Sequence, residues 1–176
     1  MTIETVHLRL APFTPSQLLA LIESEVRFEE CFGLPAADGL RGFLVSDEVS
    51  PAWVALLQGA VEADPWLYGF AVVHPEGGAV IGCVGFKGPP DENGVVEIAY
   101  SIAPGFQGRG LATEATEALT AFAFDCDRVR LVRAHTLPTT NASMRVLSKC
   151  GFKHTDELVD PEDGLVWRWE RTRDSA

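Results

Sequence analysis

Between residues 101 and 124 the chain reads SIAPGFQGRGLATEATEALTAFAF, so that a strand-like run gives way to a helix across a junction carrying Gly105, Gly108 and Gly110. No other stretch constrains the fold as strongly. The preceding VVEIAYSI (95–102) has strand composition. The following segment sets Leu111, Ala115, Leu119 and Phe122 on one helical face and turns Glu114 and Glu117 outward. A helix N-terminus carries unpaired backbone N–H groups and the positive end of the macrodipole, so it holds phosphate when side chains do not block the approach. Glycine removes that block, although a turn that merely changes direction would use the same residues.

Two widespread phosphate loops do not fit, which sets ATP and NAD back without removing a nucleotide binder of another kind. No Lys-Ser or Lys-Thr follows the last glycine, and GRGLAT lacks the third glycine of a dinucleotide fingerprint. The spacing that is present runs Gln or Arg, two free positions, Gly, one free position, then Gly or Ala. It is realised as Gln107, Gly110 and Ala112.

Around this junction the chain alternates between the two periodicities. TVHLRLAPF reads as a first strand with Val6, Leu8 and Leu10 inward. TPSQLLALIES and SPAWVALLQGA read as helices, each opened by a capping hydroxyl and a proline, Thr14 with Pro15 and Ser50 with Pro51. The segment 28–47 between them has no assignable pattern. WLYGFAVVH, AVIGCVGFK and VVEIAYSI form an expected antiparallel meander. RVRLVRAHT returns to strand, and NASMRVLSKC to a helix stopped at Gly151. FKHTDELVD and LVWRWER pair around PEDG, with a frayed tail over 172–176. The expected architecture is one α/β domain over 4–171, with a mixed, mainly antiparallel sheet flanked by helices.

Length and charge narrow the function. A chain of 176 residues suits one core. With 14 Lys and Arg against 25 Asp and Glu, the net charge of −11 repels polyanions, so nucleic acid is not an expected partner. MTIETVHLRLAPF lacks a basic region leading into an apolar one, and no apolar run approaches the roughly 20 residues that cross a bilayer. The reading is cytoplasmic, with no membrane partner. Cys31, Cys83, Cys126 and Cys150 show no paired spacing or neighbouring histidine cluster, so they read as small buried hydrophobes and no metal is expected.

Two segments carry a resemblance to a known family. VEIAYSIAPGFQGRGLATEA and TLPTTNASMRVLSKCGF, in that order and separated by a strand, resemble the GNAT superfamily of N-acetyltransferases, and within it the Rim-type branch that includes ribosomal-protein N-terminal acetyltransferases. The resemblance implies an acetyl-CoA cosubstrate, a primary-amine acceptor (a peptide or protein α-amine, or a small molecule) and direct attack on the thioester. It implies a splay beside the strand ending at Ile102, where backbone near Tyr100, Ser101 and Ile102 pairs with the pantetheine arm. The pyrophosphate would lie on the N–H groups of Gly108, Arg109, Gly110, Leu111, Ala112 and Thr113. Gln107 would tie down the loop, and Arg109 either adds charge to the cradle or is solvated. Asn141 either caps its helix or bonds the pantetheine. The relatives' asparagine stands one position earlier, where this chain has Thr140. Ser143 resembles the serine near the thioester sulfur.

Acetyl transfer needs an uncharged amine, a polarised carbonyl and a proton for the departing thiolate. Glu97, on the strand that feeds the loop, is the first candidate base; Glu157 is the second because DELVDPEDG resembles the region where a Rim-type enzyme carries its glutamate, while His135 reads as a packed or surface histidine. The family's usual tyrosine on the later helix is missing, which leaves proton return to Ser143, Ser148 or solvent. Residues 25–50 and the final hairpin would form the acceptor pocket, with Trp167 and Trp169 as core or as lining. A homodimer is compatible with this reading. The alternative is an acyl-CoA-binding or regulatory module that has lost turnover.

Overall fold

The structure is a computed structural model that describes residues 1–44, 50–139 and 141–175. The chain opens with a small hairpin, β1 (Ile3–Glu4) and β2 (Arg9–Pro12), instead of a single strand. Thr5 makes the bend, its hydroxyl donating to the Leu8 carbonyl and accepting from the Leu8 N–H, both at 3.0 Å. Val6 is therefore 86% exposed, while Leu8 and Leu10 are buried.

Helix α1 (Pro15–Glu23) starts with the capping box that Thr14 and Gln17 make together. Helices α2 (Glu25–Phe32) and α3 (Leu40–Leu44) occupy much of the stretch that has no pattern in sequence, and 45–47 of that stretch lie outside the described residues. Ser50 caps α4 (Pro51–Gln58). The strand expected from Trp66 begins later. Asp64 accepts the Trp66 N–H at 2.9 Å and Pro65 presets a helical φ, so α5 (Pro65–Tyr68) forms, and Gly69 at φ 68° ends it. Strands β3 (Phe70–His74), β4 (Ala79–Phe86) and β5 (Val95–Ile102) then make the antiparallel meander.

From β5 the chain crosses through α6 (Leu111–Asp125) to β6 (Leu131–Thr136), which lies parallel to β5 as such a crossover permits. Helix α7 (Ala142–Lys149) follows. The last hairpin is β7 (Lys153–Asp160) and β8 (Gly164–Thr172). Among the described residues the sheet has eight strands in the order β1-β2-β3-β4-β5-β6-β8-β7, with β5 and β6 its parallel pair of strands.

Both sheet faces are covered. Leu111, Ala115, Leu119 and Ala123 bring α6 down on Val96, Ile98 and Val132, while Phe122 packs against Trp66, Phe70 and Phe86. Truncating the fully buried Leu119 to alanine would cost about 2–5 kcal/mol. On the opposite face Ala71, Val73 and Val80 meet Leu18, Leu21, Phe28 and Leu57 from the N-terminal helices. Glu114 is not turned outward. It accepts from the His7 N–H at 2.7 Å and fixes the first hairpin to α6. Strand β8 runs to Thr172, and the Arg173 guanidinium donates to the carbonyls of Cys126 and Val129. Cys150 is buried as expected, but Cys31 is exposed.

One irregularity positions the site. Strands β5 and β6 pair only at Val95–Leu131, Val96–Val132 and Glu97–Arg133, after which β5 continues to Ile102 against β4 and β6 continues to Thr136 against β8. The two strands part just beyond Glu97.

Candidate active site

Two clefts open where the strands part, and they share Tyr100 and Ser143. The first, about 620 Å³, lies between the end of β5, the glycine loop and α7. The second, about 850 Å³, lies over Glu97 and His135 and is closed at its edges by Ser50, Pro51, Glu162 and Asp163. The Tyr100 hydroxyl donates to the Ser143 carbonyl at 3.1 Å, bridging β5 to the first turn of α7. Burial pushes that hydroxyl up to about 12, so it stays protonated at neutral pH.

The glycine loop lies at the centre of the smaller cleft. Gln107 donates from Nε2 to the Ile102 carbonyl at 2.9 Å, which draws the loop back against the strand. Gly108 and Gly110 hold φ values of 75° and 79°, in the left-handed region that favours glycine. A Cβ at Gly105, Gly108 or Gly110 would meet nothing within 4 Å, so the space in front of the loop is open. Gly110 is the N-cap of α6 and supplies no side-chain acceptor, whereas α1, α2, α4, α5 and α7 are capped by Thr14, Ser24, Ser50, Asp64 and Asn141. The first N–H groups of α6 thus face the cleft without a capping oxygen. Arg145 and Lys149 of α7 add two cations to the facing wall. The arrangement fits a phosphate-bearing ligand whose extended arm runs along β5.

The larger cleft is built from side chains. Glu97 Oε1 accepts from Lys87 Nζ at 2.7 Å and from His135 Nδ1 at 2.8 Å. On the other side of the ring, Arg168 Nε donates to His135 Nε2 at 3.3 Å. Burial would raise the Glu97 carboxyl, but the hydrogen bonds and charges of Lys87 and His135 outweigh it, and the group lies below its ordinary range. Lys87 follows the end of β4, while Glu97, His135 and Arg168 lie on β5, β6 and β8, and only the sheet brings them together.

The profile of the acetyltransferase (GNAT) domain family matches residues 7–153, most of the chain and all of the splay. The chain belongs to the GNAT acetyltransferase family. It is 30% identical over 93 residues to the uncharacterized N-acetyltransferase p20 of Bacillus licheniformis, a match covering 53% of this chain and 52% of the relative, about half the length of each. Its fold is shared with RimL, a ribosomal L7/L12 α-N-protein acetyltransferase solved in complex with coenzyme A, at a TM-score of 0.68, 17% identity and full coverage of both chains. The ribosomal-protein-S5-alanine acetyltransferase of Vibrio fischeri superposes equally well, at a TM-score of 0.68, with 16% identity over 99% of this chain and 97% of that one.

Within this GNAT domain the structure gathers Tyr100, Ser101, Ile102, Gln107, Gly108, Gly110, Ala112, Thr113 and Ser143 around the smaller cleft. It places the other sequence candidates elsewhere. Leu111 is buried beneath α6. Arg109 turns back to the Gly105 carbonyl at 3.3 Å and lies over the Phe106 ring. Asn141 accepts the Met144 N–H at 3.0 Å, the capping role, and Thr140 lies outside the described residues. Glu157 is exposed on β7, outside both clefts. The acceptor-side expectation for 25–50 meets the larger cleft at Ser50, while 45–49 lie outside the described residues. Trp169 is core, its Nε1 donating to Thr136 Oγ1 at 3.0 Å. Lys87, Arg168, Arg145 and Lys149 are not among the sequence candidates, and His135 reads in the sequence as a packed or surface residue. The i, i+4 pair of cations on α7 was visible, but the partners of His135 depend on register. Among the described residues no helix is long and apolar enough to cross a membrane, and no group of three or more His, Cys, Asp or Glu could hold a metal ion.

Proposed function

We propose that this GNAT domain transfers an acetyl group from acetyl-CoA to a primary amine by direct attack on the thioester. The observation that carries the reading is the meeting of two dissimilar clefts at Tyr100 and Ser143: a backbone N–H cradle on one side and a charged basin on the other. The pantetheine arm would lie along β5 where β6 has left it, as an added strand would, with the pyrophosphate on the N–H groups of Gly108 to Thr113. That brings the thioester to the junction of the clefts and the amine to the larger one.

Glu97, Glu162 and Asp163 line the acceptor cleft against Lys87 as its lysine, so an acceptor arriving as an ammonium ion is accommodated. It must then lose a proton before it attacks. A peptide α-amine, with an ordinary pKa of about 7.7 to 8.0, does so far more readily than a lysine at about 10.4. We infer that α-amines of peptides or proteins, or small amines of similar basicity, are the acceptors. The proton leaves toward the Glu97–His135 pair.

Calorimetric titration with acetyl-CoA, with ATP and NAD as competitors, tests the cradle. A panel of short peptides with free α-amines, followed by mass spectrometry, tests the transfer. Micromolar binding of acetyl-CoA together with a gain of one acetyl group on a peptide is the expected result. Binding without transfer to any amine would leave the protein as an acyl-CoA-binding module, and no binding would remove the reading altogether.

A further inference from the structure

We propose that His135 is the proton acceptor of the reaction and that Glu97 is its positioning residue, with Arg168 holding the ring in the neutral form whose Nε2 lone pair faces away from Glu97. The proposal rests on the acetyl-transfer reading above and assigns roles within it.

The geometry separates the two side chains. Glu97 Oε1 is already the acceptor for both Lys87 Nζ, at 2.7 Å, and His135 Nδ1, at 2.8 Å. A carboxylate neutralised by a lysine and a hydrogen-bonded ring has little tendency to take a proton from an amine, and its depressed titration agrees with that. His135 is differently placed. It lines the larger cleft, its side chain keeps 19% of its accessibility, and it stands on β6 two residues past Arg133, the last residue of that strand to pair with β5. Arg168 cannot accept a hydrogen bond, so its contact with Nε2 at 3.3 Å assigns the lone pair to Nε2 and the proton to Nδ1. That contact is long for a hydrogen bond, and an incoming amine can displace it.

The amine nitrogen's lone pair forms the C–N bond at the thioester carbonyl carbon, the C–S bond breaks, and its electron pair leaves on sulfur. The proton shed by nitrogen goes to His135 Nε2, and the thiolate takes a proton from water. The resulting imidazolium is favoured by Glu97 and opposed by Arg168 and Lys87, so its proton returns to solvent. Asp160 at the end of β7, with Glu162 and Asp163 of the turn into β8, adds negative charge on this side of the ring.

The test compares His135→Gln, Glu97→Gln and Arg168→Met with the unaltered protein, using acetyl-CoA and whichever peptide amine the unaltered protein acetylates. The dependence of kcat/KM on pH is followed, and acetyl-CoA affinity is measured by calorimetry. An amine contributes the same inflection to every variant, so differences between variants belong to the enzyme. His135→Gln should lower kcat by about 10² to 10³-fold while leaving acetyl-CoA affinity unchanged, and should erase one inflection. Glu97→Gln should move that inflection to lower pH, because the imidazolium loses its carboxylate, and Arg168→Met should move it to higher pH. NMR of the imidazole rings, with the His135 signals identified by their loss in His135→Gln, should show the proton on Nδ1.

An inflection that survives His135→Gln but vanishes in Glu97→Gln would overturn the proposal and make Glu97 the base, as would finding the proton on Nε2. An unaltered protein that binds acetyl-CoA but acetylates no amine removes the underlying reading, a failure recognisable because it appears before any variant is compared.

Discussion

The two clefts that meet at Tyr100 and Ser143 are made from different parts of the polypeptide. The smaller is drawn from nearly contiguous chain: twelve of its thirteen lining residues fall in the two short runs 100–113 and 142–146, and its central feature is an α-helix start without a capping side chain. The larger depends on Lys87, just past β4, and on Glu97, His135 and Arg168 of three different strands, linked by hydrogen bonds that span 33 to 38 positions where His135 is a partner. A backbone cradle tolerates many side chains provided that none intrudes, whereas a charge network fails when one member is replaced. The first cleft should thus be sensitive to bulk and the second to charge.

The largest expected effect tests the first half of that contrast. A valine at Gly110 would obstruct the loop but would also be strained at φ 79°, so loss of binding could not be separated from loss of fold. Asparagine tolerates that region and still projects into the open space. Gly110→Asn is expected to weaken acetyl-CoA binding about 100-fold, the equivalent of about 2.7 kcal/mol, with melting temperature nearly unchanged. Calorimetry on a thermally normal variant checks it, and undiminished affinity would mean that the loop does not hold phosphate.

The same contrast explains what could be read in advance. The backbone cleft was legible because its parts are contiguous: SIAPGFQGRGLATEA contains the strand, the glycines and the helix start together, and Gln107 ties the loop as its position suggested. Thr14, Ser50 and the β3–β5 meander were legible for the same local reason. The charged cleft was not. Glu97 stood out on its strand, but nothing local says that Lys87 and His135 converge on one of its oxygens, because that follows from β4–β5 pairing and from the register of β6 against β5 and β8. Where local signals misled, a nearby competitor had won: Asp64 and Pro65 turned Trp66 to Tyr68 into helix, and Thr5 broke the first strand.

A second experiment probes the junction itself. Tyr100→Phe removes the bond to the Ser143 carbonyl, whereas Ser143→Ala leaves that carbonyl in place. Tyr100→Phe should cost about 1 kcal/mol of stability, and about tenfold in kcat if that bond aligns the clefts. Ser143→Ala should leave stability unchanged. Chemical denaturation and steady-state kinetics on the two variants separate the effects, and a larger stability loss in Ser143→Ala would show that the bridge is not what holds α7 to β5.

Charge sensitivity in the larger cleft can be followed without any substrate. The folded Glu97 carboxyl titrates below its unfolded value, so its stabilisation is complete above the ordinary carboxylate range and is lost as pH falls through the folded value. Lys87→Met removes a main cause of that depression. The variant should lose about 0.5 kcal/mol at neutral pH, a figure reduced because Lys87 is largely exposed, and its stability should fall less between pH 6 and 3. Parallel melting curves across that range would show that the Lys87 contact does not set the Glu97 titration.

The smallest effect belongs to the residue that looks most like a phosphate ligand in the sequence. Arg109 stands between two loop glycines, yet its guanidinium is committed to the Gly105 carbonyl at 3.3 Å and lies 5.1 Å from the centre of the Phe106 ring. Arg145 and Lys149, on the facing helix, line the cleft where Arg109 does not. If backbone supplies most of the grip, Arg109→Ala should weaken acetyl-CoA binding only about twofold, roughly 0.4 kcal/mol, while the double replacement of Arg145 and Lys149 by alanine should cost more and steepen less with falling salt. A loss of tenfold or more at Arg109 would show that the loop leaves its own carbonyl to grasp the ligand, and the line between a backbone-built cleft and a charge-built one would have to be redrawn through the glycine loop.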